Sequence, residues 1–97
     1  MVHQTIQIHF KLAGFLDGQM MTYQFDLEVP QGVSLKKAFK LADKSRHYKG
    51  KLIKRILKMP RPPTVLLNGN SLDVPGDLDT ELGQGDEVAI MTPVGGG

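Results

Sequence analysis

The sequence predicts a single α+β domain, a mixed sheet of four to five strands packed on one main helix with a short extra helix. Three observations predict it. Apolar and polar residues alternate with period two at 5–12 and again at 21–29. A stripe of helical period follows at 35–42. A strand-and-turn signal, Val65-Leu66-Leu67-Asn68-Gly69, then precedes a last alternating segment at 87–92. The chain of 97 residues suits one core, since domains usually run about 50 to 250 residues.

The first strand turns Ile6, Ile8, Phe10 and Leu12 one way and Thr5, Gln7, His9 and Lys11 the other. A loop containing Gly14, Asp17 and Gly18 connects it to the second. There Met21, Tyr23, Phe25, Leu27 and Val29 point inward, and Thr22, Gln24, Asp26 and Glu28 outward. Two half-buried antiparallel strands follow from this. Pro30 and Gly32 end the hairpin, and Ser34 is placed to cap a helix. Leu35, Ala38, Phe39 and Ala42 form that helix's apolar stripe. Lys36 and Lys37 occupy its first turn, where each cation opposes the helix dipole by about 0.3–1 kcal/mol.

Residues 44–62 are an elaboration between elements. Within them Lys51–Met59 sets Leu52, Ile53, Ile56, Leu57 and Met59 against Lys51, Lys54, Arg55 and Lys58. That pattern predicts a short amphipathic helix, stopped by Pro60, Pro62 and Pro63. Thr64–Leu67 is the third strand, Asn68-Gly69 a tight turn, and Ser71-Leu72 a short return. Residues 73–86 are acidic and rich in turn formers. The last strand, 87–92, sets Val88 and Ile90 on one face and Ala89 and Met91 on the other. Pro93 ends its pairing.

Composition narrows the chemistry. The chain has no cysteine, which removes disulfides, a thiol nucleophile and thiolate metal sites. No apolar run nears the roughly 18 residues of a membrane span, and the start is not a signal peptide, so a cytoplasmic protein is expected. The net charge of +2 conceals segregation: residues 1–35 carry −2, residues 36–61 carry +10 and residues 62–97 carry −6. A basic segment can attract nucleic acid, but this one offers only Phe39 and Tyr48 for stacking. It reads as solvated helix faces, with neither nucleic acid nor membrane as a partner. His3, His9 and His47 lack ligand spacing, and Asp77, Asp79 and Glu81 lack calcium-loop spacing, so no metal site is expected.

The chain ends in Gly95-Gly96-Gly97. Glycine costs the most backbone entropy to order, so nothing in folding calls for three of them there. A strand without side chains can, however, thread a narrow channel in another protein. Val94–Gly97 extends about 13 Å at roughly 3.3 Å per residue.

The element order, the VLLNG strand and turn, and the closing LGQGDEVAIMTPVGGG together resemble the ubiquitin-like β-grasp sulfur carriers of the MoaD/ThiS type. Residues 64–97 carry most of the likeness: Asn68-Gly69, Leu82, the Gly85-Asp86-Glu87-Val88 strand start, Pro93-Val94 and the terminal glycines. Within that group the chain looks most like the molybdopterin-synthase small subunit. The family commonly reads Pro-Pro where this chain has Thr92-Pro93, and Ser or Ala where it has Gly95.

The resemblance implies a β-grasp body at 1–93 and a flexible tail at 94–97. It implies that an E1-like adenylating enzyme uses ATP to activate the Gly97 carboxylate, that Gly95 and Gly96 thread its channel, and that the adenylate becomes a thiocarboxylate. This chain binds no cofactor of its own and acts as a non-catalytic carrier subunit. A sulfur-accepting subunit like the molybdopterin-synthase large subunit then receives the sulfur. Leu66, Ala89, Met91, Pro93 and Val94 form the expected partner face; the alternative is that this face holds a second small cluster capped by the 51–59 helix. The alternatives are a protein modifier joined through Gly97, a carrier serving thiamine, tRNA or tungsten-cofactor pathways, and an interaction domain with an inert tail.

Overall fold

The alternation at the N-terminus folds into a longer hairpin than its pattern predicts. A computed structural model describes residues 4–16, 18–48, 50–74 and 76–92. In it β1 spans Thr5–Leu16 and β2 spans Gln19–Pro30, paired antiparallel throughout. The loop expected from Gly14 onward is therefore a correction: Gly14 lies inside β1, opposite Met21. Its physical reason is that Ala13 and Phe15 continue the outward alternation and find Thr22 and Met20 across the ladder.

Five further elements complete the fold as the pattern implies. Helix α1 runs Leu35–Lys44, α2 runs Leu52–Leu57, β3 Thr64–Leu67, β4 Asn70–Leu72 and β5 Glu87–Met91. The sheet order is β2-β1-β5-β3-β4. Strand β5 runs parallel to β1 and antiparallel to β3, so it is paired on both sides. Together the mixed five-stranded sheet and the helix crossing it make a ubiquitin-like β-grasp fold.

One face of the sheet carries the core. Ile8, Phe10, Leu12, Val65, Val88 and Ile90 are at most 1% exposed and pack with Leu35, Ala38, Phe39 and Ala42 of α1. The α1 N-terminus is fully capped. The Leu35 and Lys36 amides donate to the Thr80 and Leu78 carbonyls at 2.8 and 2.9 Å, and the Lys37 amide donates to Ser34 Oγ at 3.2 Å. These bonds satisfy the donors that a helix leaves open at its start.

The 44–62 elaboration packs on the same core. Leu52, Ile53 and Ile56 of α2 are buried there. A carboxylate from α1 starts α2: Asp43 accepts from the Ile53 and Lys54 amides, both at 2.9 Å, and from the Tyr48 hydroxyl at 2.6 Å. Burial, then the hydrogen bond to Asp43 and its charge, hold the Tyr48 phenol far above its ordinary range. The ring of His47 stacks on Phe25 at 4.2 Å between centroids, and Phe25 stacks on Phe10 at 5.4 Å.

The Asn68-Gly69 turn has positive φ at both positions, 52° and 84°, as a two-residue hairpin of this type demands. Asn68 also clasps the loop before β5. Its side chain donates to Asp86 at 2.9 Å and accepts from the Glu87 amide at 2.8 Å. The Gly85 amide donates to the Gln7 carbonyl and the His9 amide to the Asp86 carbonyl, each at 2.9 Å. Those bonds set the register in which β5 enters the sheet. Among the described residues no helix is long and apolar enough to cross a membrane.

Candidate functional site: the open sheet face and the end of the last strand

Side chains of a strand alternate between faces, so the strands that build the core also build a second surface. In the β3–β5 ladder Val65 pairs with Ile90 and Leu67 with Val88 on the core side, while Leu66 pairs with Ala89 on the other. Helix α2 buries its apolar residues in the cluster that holds Val65, Val88 and Ile90. The opposite face is left open, and Leu66, Ala89 and Met91 lie on it together.

That face is wider than its sequence signal. Parallel pairing sets Lys11 beside Ala89 and Ala13 beside Met91. Antiparallel pairing sets Phe15 beside Met20. The large exposed hydrophobic residues among the described ones are Phe15 (44%), Met20 (62%) and Met91 (38%), and all three lie on this face. A contiguous apolar strip of this kind marks interaction surfaces in soluble proteins. Lys11 and Glu87 pair across it at 2.9 Å and border it with charge. Sequence reasoning missed Phe15 and Met20 because Gly14 and Gly18 read as a loop; the alternation beyond Leu12 was the available signal.

The geometry at the end of β5 comes from a close approach. Thr92 is 4% exposed, and its amide donates to the Ala13 carbonyl at 3.0 Å. Its side chain occupies the space over Gly14. A Cβ at Gly14 would overlap the Thr92 hydroxyl and stand 2.9 Å from the Thr92 nitrogen. Gly14 also has φ +141°, a conformation that glycine adopts at least cost. The Thr92 hydroxyl finds no hydrogen-bond partner among the described residues. A proline at 92, as the resembling family commonly has, lacks the N–H that Thr92 donates.

Because β5 is parallel to β1, Met91 and Thr92 head the way that Ala13, Gly14 and Phe15 do. The chain reaches Thr92 from a central strand and beside the open apolar face. Pro93, Val94, Gly95, Gly96 and Gly97, with the 93/94 boundary, lie outside the described residues. No group of three or more His, Cys, Asp or Glu side chains that could hold a metal ion occurs among the described residues.

The ThiS family model matches residues 18–97, a span that includes the three closing glycines. No curated protein matches the sequence. Among solved structures, the fold is similar to the crystal structure of SAMP1 from Haloferax volcanii, with TM-score 0.65 and 23% identity over 94% of this chain and 99% of that one. It is also similar to the solution structure of the Haloferax volcanii protein HVO 2177, with TM-score 0.60 and 21% identity over 96% and 88% of the two chains.

Proposed function

Since the chain belongs to the ThiS family, we propose that it is a ubiquitin-like sulfur carrier whose reactive group is the Gly97 carboxylate. The observation that carries the reading is the junction of Thr92 with the open face. A central strand, paired on both sides, delivers the chain beside an uncovered strip of Ala13, Phe15, Met20, Ala89 and Met91. A partner that docks on that strip receives the following residues from a fixed point.

The chemistry needs no base from this chain. A carboxylate is a poor electrophile until one oxygen becomes a good leaving group. In the activating partner a Gly97 oxygen attacks the α-phosphorus of ATP and pyrophosphate leaves. Hydrosulfide then attacks the acyl carbon, AMP leaves and the S–H proton is lost to solvent, so the C-terminus ends as a thiocarboxylate. Enclosing a side-chain-free Gly95-Gly96-Gly97 segment in a narrow channel keeps water from the adenylate. Leu66, Ala89, Met91, Pro93 and Val94 are the contacts this reading assigns to the partner, and Phe15 and Met20 extend them. As destination we propose a pyranopterin precursor held by a subunit like the molybdopterin-synthase large subunit.

Intact-mass spectrometry tests the carrier step. With an E1-like adenylating enzyme, ATP and a sulfur donor, the wild-type chain gains the mass difference between one sulfur and one oxygen. Deletion of Gly97 or Gly96→Ala abolishes the gain with the circular dichroism unchanged. An unmodified wild-type mass sinks the reading. If the terminus instead joins lysines of other proteins, slower-migrating conjugates appear and vanish on Gly97 deletion. Reconstitution with a pterin-synthase large subunit, against a thiazole synthase, assigns the destination.

A further inference from the structure

On the helical side of the molecule, α1 and α2 enclose a groove of about 380 Å³. Its floor is apolar, made by Phe39, Ile53, Leu57 and Leu78. Its rim is cationic on both sides. Lys36, Lys40 and Lys44 recur every four residues along α1, a row about 12 Å long at 1.5 Å rise per residue. Lys51, Lys54 and Lys58, in and beside α2, make the facing row.

None of these six lysines makes an ion pair among the described residues, whereas Lys11 pairs there with Glu87. The groove contains one acid, Asp43, and its oxygens accept from Tyr48 and from the Ile53 and Lys54 amides. Six lysines gathered around the groove repel one another, and the half-buried Leu57 and Leu78 of its floor stay partly in water. A ligand that is apolar along its middle and anionic along both flanks relieves both costs.

We propose that the α1–α2 groove docks an acidic amphipathic helix of a partner protein. Its apolar side chains lie on Leu57 and Leu78, the half-buried part of the floor, and its carboxylates lie between the two lysine rows, the helix-in-groove mode of recognition. The row length corresponds to about two helical turns. Single-stranded nucleic acid fits less well, because stacking needs an open aromatic face and Phe39, the aromatic residue of the lining, is 4% exposed. A flat anionic membrane meets the lysines but not a recessed floor. The groove is on the side of the sheet opposite Met91, so this partner and one docked on the open face bind together.

Fluorescence anisotropy tests it with a labelled synthetic helix that carries leucines at i, i+3, i+4 and i+7 and glutamates on both flanks. The expected result is saturable binding with Kd of roughly micromolar order. Lys40→Glu with Lys54→Glu, both exposed positions, weakens it by about tenfold or more. Leu57→Ser weakens it too, with unfolding midpoints checked for each variant. Lys37→Glu, outside the groove on the same helix, retains it. The proposal is overturned by absence of binding, by equal binding of a scrambled peptide of the same composition, or by an equal loss in Lys37→Glu. Tighter binding of oligouridine or of phosphatidylserine vesicles overturns it as well. So does a dimer in sedimentation that the double variant abolishes, because the groove would then be filled by a second copy.

Discussion

The two faces of the sheet come from the same strands and meet opposite fates. On β5 the side chains of Val88 and Ile90 are 0% exposed, while Met91, the next residue, is 38% exposed. On β1, Phe10 and Leu12 are buried and Phe15 is 44% exposed. Pleating alone separates the two sets. One face is committed to α1 and α2 and holds the molecule together. The other carries Phe15, Met20 and Met91, large apolar residues left exposed among the described ones. The residues that hold the fold and those proposed to meet a partner therefore lie one position apart and can be substituted separately.

The largest effect expected from this comparison is at the inner face. Ile90→Ala should cost about 2–5 kcal/mol of stability, read as a lower denaturant midpoint. Met91→Ala should stay within about 0.5 kcal/mol yet slow adenylation by the activating enzyme. Equal destabilisation by the two would mean that the open face is not open.

Next in size is the junction where both faces meet the end of β5. Gly14→Ala forces a methyl against Thr92 and should cost about 1–3 kcal/mol. Combining it with Thr92→Ala, which removes the hydroxyl, should recover part of that loss in a double-mutant cycle. Additive losses would remove the close approach from the account.

The smallest expected effect concerns the helical side. The Tyr48 phenol has its folded-state pKa raised above the ordinary 10.0, so the folded state disfavours the phenolate. Its contribution is fully present below pH 10 and is lost as the pH rises above it. Tyr48→Phe should cost about 0.5–1.5 kcal/mol at neutral pH and flatten the alkaline decline in the unfolding midpoint. An unchanged decline would assign it to other groups.

Several elements were legible because their signals are local. Ser34 caps α1 with its own hydroxyl three residues on, and Leu35, Ala38, Phe39 and Ala42 are all buried as their spacing predicts. Asn68-Gly69 announces its turn through the backbone that glycine permits. The extent of β1 was not legible, since a glycine reads as a breaker whether it makes a turn or admits a neighbour. Gly14 admits Thr92, 78 positions later. Asp43 is the one acid in residues 36–61, and nothing nearby in sequence shows that it starts α2 ten residues on. The basic charge itself was visible, but its sorting into two rows around an apolar floor depends on how the helices pack.

By itself, then, the sequence determined where the helices, turns and strands lie apart from the far end of the first hairpin, which side of each is apolar, and that the last third with its glycines resembles a carrier terminus. Such features depend on neighbours within about four positions, through hydrogen-bond period, rotamer preference and φ. Tertiary structure decided that β5 lies between β1 and β3, that Phe15 and Met20 join Met91 on one uncovered face, and that Thr92 is held over Gly14. It also decided that two helices gather six lysines around one groove. Each of these is a contact between distant segments, selected by burying one face of the sheet, and the pattern along the chain does not specify which segments meet.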